Sequence, residues 1–154
     1  MGTEITFRSA AGAEMRVVTE SSKPLIAIVD DDESVCRAVK RLVRSLGMEA
    51  DTFTSGRAFL DFVQGAPWLR VDSVVLDVQM PDLNGLEVQE RLAKSGNPIP
   101  VIFITAHDEV GARERALAAG AVAFLRKPFN DQLFVKTLGE ALKRGAASEA
   151  KGNP

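Results

Sequence analysis

Acidic residues follow two apolar runs that have the composition of buried strands. Asp30-Asp31-Asp32 follows one such run, and Asp77 follows another. If both runs are strands of one parallel sheet, their carboxyl ends meet at the same edge. Carboxylates crowded together repel one another, so this arrangement indicates a bound divalent cation or a raised pKa. We therefore expect the functional site of the chain to lie at this edge of the sheet.

Two further polar residues, Thr105 and Lys127, stand at or just after the ends of other predicted strands. A lysine ammonium is a point charge suited to phosphate oxygens, and a threonine hydroxyl is a donor that can reorient. With magnesium they could neutralise a phosphoryl group carried by Asp77 as an acyl phosphate. The residue types therefore favour phosphoryl chemistry at Asp77.

Each of these residues also has an ordinary explanation when taken alone. Adjacent acids before a helix often cap its N-terminus, and we assign Asp32 and Glu33 to that role. A threonine at a strand end is usually a turn residue, and a lysine before a proline is usually solvated. Their joint occurrence at several strand ends makes a shared site the better interpretation.

The stretch from Pro24 to Arg144 alternates short apolar runs with amphipathic segments, which is typical of repeated β-α units. The predicted strands are 25–30, 48–53, 73–77, 101–105 and 121–126. The predicted helices follow them, the second with Ser55 as its N-cap and the last three at 85–95, 110–119 and 131–144. This order predicts a single doubly wound α/β domain whose parallel sheet is covered on both faces.

Composition limits the other possibilities. The chain has 154 residues, 45% of them hydrophobic, a net charge of -2 and one cysteine. These values suit one soluble domain at 24–144, and they predict a cytoplasmic protein without a membrane span or a broad nucleic-acid surface. We interpret 1–23 as a flexible leader and 145–154 as a flexible tail or linker. Cys36 lies in an apolar helical stripe and should pack as a small hydrophobe.

Four motifs occur together in the right order and spacing. They are Val29-Asp30-Asp31-Asp32, Leu76-Asp77-Val78-Gln79-Met80-Pro81-Asp82-Leu83-Asn84-Gly85, Phe103-Ile104-Thr105-Ala106 and Phe124-Leu125-Arg126-Lys127-Pro128-Phe129. In this combination the chain resembles the receiver domain of bacterial two-component response regulators, the CheY-like family. It is most similar to receivers of the subfamily that often carries a carboxyl-terminal helix-turn-helix. The resemblance implies a flavodoxin-like (βα)5 fold with strand order 2-1-3-4-5.

The resemblance also implies a role for each matching residue. Asp77 would be the phosphoacceptor and would bind Mg2+ together with Asp31, with Asp30 acting through water and Gln79 through its backbone carbonyl. Lys127 would contact the phosphoryl oxygens, and the bond between it and the following proline would be cis.

A conformational switch is implied as well. Thr105 would also contact the phosphoryl oxygens, and Phe124 would turn when Thr105 moves. The face formed by the fourth helix, the fifth strand and the fifth helix would then change. The implied partners are a histidine kinase or a histidine phosphotransfer protein, together with a homodimer formed on phosphorylation. Such a chain is a signalling switch rather than an enzyme, because it catalyses only its own phosphorylation and slow dephosphorylation.

Two other functions fit parts of the pattern. A magnesium phosphohydrolase of the haloacid-dehalogenase type also uses an aspartyl phosphate. Enzymes of that group have an acid two residues after the nucleophile as general acid and base, and this chain has Gln79 there. A flavodoxin-like nucleotide-binding module would need a loop rich in Ser, Thr or Gly after the first strand. Here the acids at 30–32 occupy that place and would repel phosphate without a metal.

Overall fold

Seven strands and five helices make up the part of the chain that the computed structural model describes. This part comprises the backbone of residues 2–8, 12, 14–20, 23–107 and 109–152, with the side chains of residues 12, 23–107 and 109–147. The elements are β1 (Gly2–Arg8), β2 (Glu14–Glu20), β3 (Leu25–Val29), α1 (Glu33–Ser45), β4 (Glu49–Phe53), α2 (Gly56–Gly65), β5 (Ser73–Asp77), α3 (Gly85–Lys94), β6 (Val101–Thr105), α4 (Ala112–Ala118), β7 (Ala123–Arg126) and α5 (Asp131–Gly152).

Five of the strands form one parallel sheet in the order β4-β3-β5-β6-β7. Since β3 is the first predicted strand, this confirms the doubly wound fold and the order 2-1-3-4-5. The next strand in the chain, β4, lies on one side of β3, and the strand after it, β5, lies on the other side. The carboxyl ends of β3 and β5 therefore flank the switch point, where such sheets bind their ligands.

Residues along each central strand alternate between two apolar layers, as the period of a strand requires. Ile26 and Ile28 pack in one layer, and Ala27 and Val29 pack in the other. Buried residues of α1 and α5 complete the first layer, namely Cys36, Val39, Val43, Phe134, Leu138 and Ala141. Those of α2, α3 and α4 complete the second, namely Phe59, Leu60, Val88, Leu92 and Ala116. The sheet is thus fixed from both sides.

Side-chain caps set where the first three helices begin. Asp32 and Ser55 accept hydrogen bonds from backbone N–H groups in the first turns of α1 and α2, which confirms both predicted caps. Asn84 and Glu87 form a reciprocal capping box at α3. By contrast, α4 begins two residues later than predicted. Gly111 has a φ of +81°, in the left-handed region, so the backbone is not α-helical at this residue and α4 begins after it.

The two ends of the chain contain more regular structure than the sequence predicted. Within the segment interpreted as a leader, β1 and β2 pair antiparallel, and both are rich in Thr, Val, Ile and Phe, which favour strands. The last helix was predicted to end at Arg144, but α5 continues to Gly152. The run from Gly145 to Gly152 includes three alanines, a glutamate and a lysine, all good helix formers. Among the described residues no helix is long and apolar enough to cross a membrane.

Gly85 marks a close contact between α3 and the end of β5. Its N–H donates to the Val78 carbonyl at 2.8 Å. A Cβ at this position would overlap the backbone carbonyl oxygen of Asp77 and press on the Phe103 ring. Only glycine therefore lets α3 start this close to the strand end that carries Asp77.

We predict opposite effects of alanine at two helical glycines. Gly85→Ala should lower the free energy of unfolding by about 1–3 kcal/mol, since backbone must move. Gly139→Ala should raise it by about 0.5–1 kcal/mol, because a Cβ at Gly139 meets open space within α5. Chemical denaturation of both variants measures the difference. Equal stability of the two variants would contradict the close contact at Gly85.

Candidate functional site

Three carboxylates converge where β3 and β5 end. Val29 and Leu76 are register partners on these adjacent strands, so the acids that follow them become neighbours. One carboxylate oxygen from each of Asp30, Asp31 and Asp77 lies within 4.8 Å of the others. Asp30 is fully buried, Asp77 is 5% exposed and Asp31 is open to solvent. The structure thus brings together the three acids that the sequence singled out.

Lys127 compensates part of this negative charge. Its Nζ lies 2.6 Å from Asp30 Oδ2 and 3.6 Å from Asp77 Oδ2. The backbone places it there, because the Lys127 N–H donates to the Thr105 carbonyl at 2.7 Å where β6 and β7 end together. The Lys127–Pro128 peptide is cis, as the resemblance implied. A buried ion pair is tolerated only when well paired, and the second Asp30 oxygen accepts the Asp32 N–H at 2.9 Å.

The compensation is incomplete, as the pKa of Asp77 indicates. Burial first and the neighbouring charge of Asp30 second raise this pKa from 3.8 to about 7, despite the opposing effect of Lys127. Without another cation, Asp77 therefore holds its proton at a pH where an exposed aspartate is fully ionised. At Asp77, burial and the neighbouring acids therefore outweigh the one ammonium.

Asp32 belongs to the helix rather than to the cluster. Its Oδ1 accepts hydrogen bonds from the Ser34 backbone N–H at 2.9 Å and the Ser34 hydroxyl at 2.6 Å. These bonds hold the pKa of Asp32 below its usual value. The cap therefore uses this carboxylate, as the sequence predicted. Close by, the buried Cys36 thiol donates to the Asp30 carbonyl at 3.2 Å, which fits its predicted packing role.

Thr105 is completely buried at the end of β6, and its hydroxyl is engaged within its own loop. It donates to the His107 carbonyl at 2.9 Å and accepts the His107 N–H at 3.2 Å. The His107 side chain is exposed. The structure thus places Thr105 at the expected edge of the sheet, with its hydroxyl bonded to His107 and not to Asp77.

Phe124 lies half-buried on β7, opposite Phe103 in the register of the sheet. The two ring centroids are 6.0 Å apart. The Phe124 carbonyl accepts a hydrogen bond from Arg113 Nη1 at 3.3 Å, which connects β7 to α4. The ring therefore packs on the core from a position where solvent still reaches it.

Gln79 makes a contact that sequence reasoning missed. Its side-chain Nε2 donates to Glu109 Oε1 at 2.8 Å, which links the loop after β5 to the loop after β6. The two residues are 30 positions apart, and no local pattern pairs them. Only the adjacency of β5 and β6 in the sheet could have suggested that their loops meet.

Comparison with known proteins agrees with this geometry. A family model described as the response regulator receiver domain matches residues 26–139. The chain is 41% identical over 137 residues to the response regulator protein TmoT of Ectopseudomonas mendocina. The aligned residues cover 89% of this chain and 61% of TmoT. It is 34% identical over 133 residues to the transcriptional regulatory protein FixJ of Bradyrhizobium diazoefficiens, covering 84% of this chain and 63% of FixJ. The chain thus spans less than two thirds of either relative.

Solved structures give the same result for the fold. A crystal structure of a response regulator receiver protein from Burkholderia phymatum is 60% identical, with a TM-score of 0.71, and covers 79% of this chain and 96% of that chain. The crystal structure of FixJ-N is 34% identical, also with a TM-score of 0.71, and covers 79% and 95%. Since the family match spans most of the chain and includes the converging acids and Lys127, the chain belongs to the receiver domains of two-component response regulators.

Proposed function

We propose that Asp77 accepts a phosphoryl group from the phosphohistidine of a histidine kinase or a histidine phosphotransfer protein. A carboxylate oxygen of Asp77 forms a bond to phosphorus while the P–N bond breaks, and the imidazole keeps that electron pair. The convergence of three carboxylates and one ammonium carries this proposal. A carboxylate of limited exposure thus lies beside groups suited to binding a cation and a phosphate, which supports its role as the nucleophile.

The residues present fit a magnesium ion. Asp31 and Asp77 would bind it through carboxylates and Gln79 through its backbone carbonyl, with Asp30 acting through a water molecule. Magnesium prefers such hard oxygen ligands, and three carboxylate oxygens within 4.8 Å of one another could supply them. When bound, the ion would neutralise phosphoryl oxygens and favour the ionised form of Asp77.

Lys127 and Thr105 would contact the phosphoryl oxygens. The Lys127 ammonium already lies 3.6 Å from Asp77 Oδ2, so a short movement away from Asp30 would bring it to a group on that oxygen. The Thr105 hydroxyl would exchange its bonds with His107 for one to the phosphoryl group. Phe124, half-buried on the neighbouring strand, would turn into the space that Thr105 leaves.

The switch would change the face formed by α4, β7 and α5. This is a population shift, for which the phosphoryl contacts must favour one packing by about a few kcal/mol. Exposed apolar side chains on this face, Leu117 at 39% and Leu133 at 48%, support a role in binding a second copy or a protein partner.

FixJ is a transcriptional regulatory protein by name, which supports control of transcription as the output. We propose that this chain does not itself bind nucleic acid, given its net charge of -2.

The identity of residue 79 argues against the phosphohydrolase alternative. A glutamine amide neither ionises nor takes up a proton near neutral pH, so it cannot act as general acid or base, and the acyl phosphate would be hydrolysed slowly. The acids after β3 likewise argue against a nucleotide-binding loop. A signalling role, in which a long-lived phosphoryl group is useful, fits both features.

Incubation with Mg2+ and acetyl phosphate should add one phosphoryl group to Asp77, which intact mass spectrometry measures. Asp77→Asn should accept none, because the amide is not a nucleophile of this kind. Asp82→Asn removes an exposed acid from the same loop and should leave the stoichiometry unchanged. A phosphoryl group on the Asp77→Asn variant would refute the assignment.

Asp31→Asn, which removes the carboxylate proposed as a ligand, should weaken Mg2+ binding by about tenfold or more if that ligand contributes at least about 1.4 kcal/mol. Asp32→Asn is the matched control, since it removes the same charge from the adjacent residue and asparagine still caps a helix. Isothermal titration of the two variants compares them. Equal losses would mean that the pair of metal ligands has been assigned wrongly.

A further inference from the structure

A groove lies at the edge of the sheet opposite to the carboxylate cluster. It holds about 490 Å³ between α3, the end of α4 and the second half of α5. Val101, which lines it, begins β6, and Thr105 ends the same strand, so the groove and Asp77 are at opposite edges of the sheet. Sites for small molecules are usually clefts of about 300–1,000 Å³. We call this space the amino-edge groove.

Most of the lining of the amino-edge groove is apolar, and parts of it are small. The larger apolar residues are Leu92, Pro98, Ile99, Pro100, Val101 and Val122. The Val122 N–H donates to the Val101 carbonyl at 2.8 Å, so these two residues are held together by the sheet. Ala93 lines the groove from α3, and Ala119 lines it from the end of α4. Because these two side chains are short, the space between the helices stays open.

Gln89 brings a polar group into this lining. The residue is 6% exposed, and its Nε2 donates to the Ala116 carbonyl at 3.1 Å, which connects α3 to α4. No described residue donates a hydrogen bond to Gln89 Oε1. Since no buried side-chain oxygen in the described part of the chain lacks a partner, this oxygen reaches solvent where Gln89 lines the groove. The groove therefore contains a hydrogen-bond acceptor that the Ala116 contact holds in place.

Arg144 gives the amino-edge groove its positive charge. It is exposed on α5 and is the one ionisable side chain among the described residues that line the groove. An adjoining space between α3 and α4 also contacts Gln89, and there Glu90 and Arg115 add one charge of each sign. Glu90 Oε1 is already paired with Lys94 Nζ at 3.1 Å. The lining as a whole is thus positive, which favours an anionic ligand.

We propose that the amino-edge groove binds a small apolar carboxylic acid that also carries a hydroxyl or N–H group. The hydrocarbon part of the ligand lies on Val101 and Val122, and its carboxylate pairs with Arg144. Its hydrogen-bond donor bonds to Gln89 Oε1, so that filling the groove does not leave this acceptor without a partner. The site is independent of the proposed function, because none of these residues belongs to the carboxylate cluster.

Isothermal titration with 2-hydroxyoctanoate and 3-hydroxyoctanoate tests the proposal. These probes differ only in the spacing of hydroxyl and carboxylate, and the better of them should bind saturably, one molecule per chain. Octanoate lacks the hydroxyl and should bind about two- to tenfold more weakly, the range for one hydrogen bond. Octylamine, a cation at neutral pH, should not bind. In nuclear magnetic resonance spectra the bound acid should shift the amide signals of Ala119 and Gly120 and leave those of Asp77 and Thr105 in place.

Variants of the lining identify the contacts. Ala119→Phe fills the groove and should abolish binding, whereas Ala118→Phe adds the same ring to an exposed neighbour outside the lining and should not. Arg144→Gln should weaken binding about two- to fivefold, the range for an exposed ion pair. Lys143→Gln removes the same charge from the adjacent exposed residue and should have no effect. Gln89→Met removes the amide at similar length, so the advantage of the hydroxyl should vanish while octanoate still binds.

The absence of saturable binding by either hydroxyoctanoate would overturn the proposal. Equal binding of octylamine, or full binding by Ala119→Phe, would also overturn it, because the acids would then be making adventitious contacts with exposed apolar surface. A hydroxyl advantage that survives in Gln89→Met would overturn the class of ligand, since that class rests on Gln89 Oε1. Each of these results leaves the phosphorylation of Asp77 unaffected, so failure of this proposal is distinct from failure of the proposed function.

Discussion

Negative charge at the carboxyl edge of the sheet is the constraint on which the rest of the site depends. Asp30 is buried with both oxygens bonded, Asp77 is nearly buried, and Asp31 completes the cluster from the solvent side. One ammonium, that of Lys127, faces these three acids. Burial and the charge of Asp30 raise the pKa of Asp77 despite this ammonium, so the single cation does not offset both effects. In the proposed function, Mg2+ would add positive charge beside these acids and neutralise a phosphoryl group on Asp77.

The parallel sheet is what makes this crowding possible. Asp30 and Lys127 are separated by 97 positions in the chain, and only the adjacency of strand ends brings them together. Apolar layers on both faces of the sheet hold those ends in place. The contact of Gly85 with the end of β5 then fixes the loop that follows Asp77. The backbone that carries the three carboxylates is therefore fixed before any ligand binds.

The sequence pattern carried enough information to predict the parallel sheet and the meeting of the three acids, and the family resemblance implied the strand order. Apolar runs ending in Asp30 and Asp77 identify strand ends, and parallel topology brings those ends together. It could not predict that Lys127 bonds to Asp30, that Thr105 bonds to His107 or that Gln79 bonds to Glu109, because side chains choose partners in three dimensions. The extension of α5 was missed for another reason: the segment 145–154 was interpreted as a flexible tail or linker, yet its alanines, glutamate and lysine favour a helix.

A crystal structure with Mg2+ and beryllofluoride, a mimic of the phosphoryl group, tests this account most directly. It should show beryllium bonded to an Asp77 carboxylate oxygen and Mg2+ bound by Asp31 and Asp77. Lys127 Nζ should have left its position 2.6 Å from Asp30 Oδ2 to contact a fluorine. Beryllofluoride bound at a residue other than Asp77, or bound at Asp77 with Lys127 still paired to Asp30, would contradict the charge balance proposed for this site.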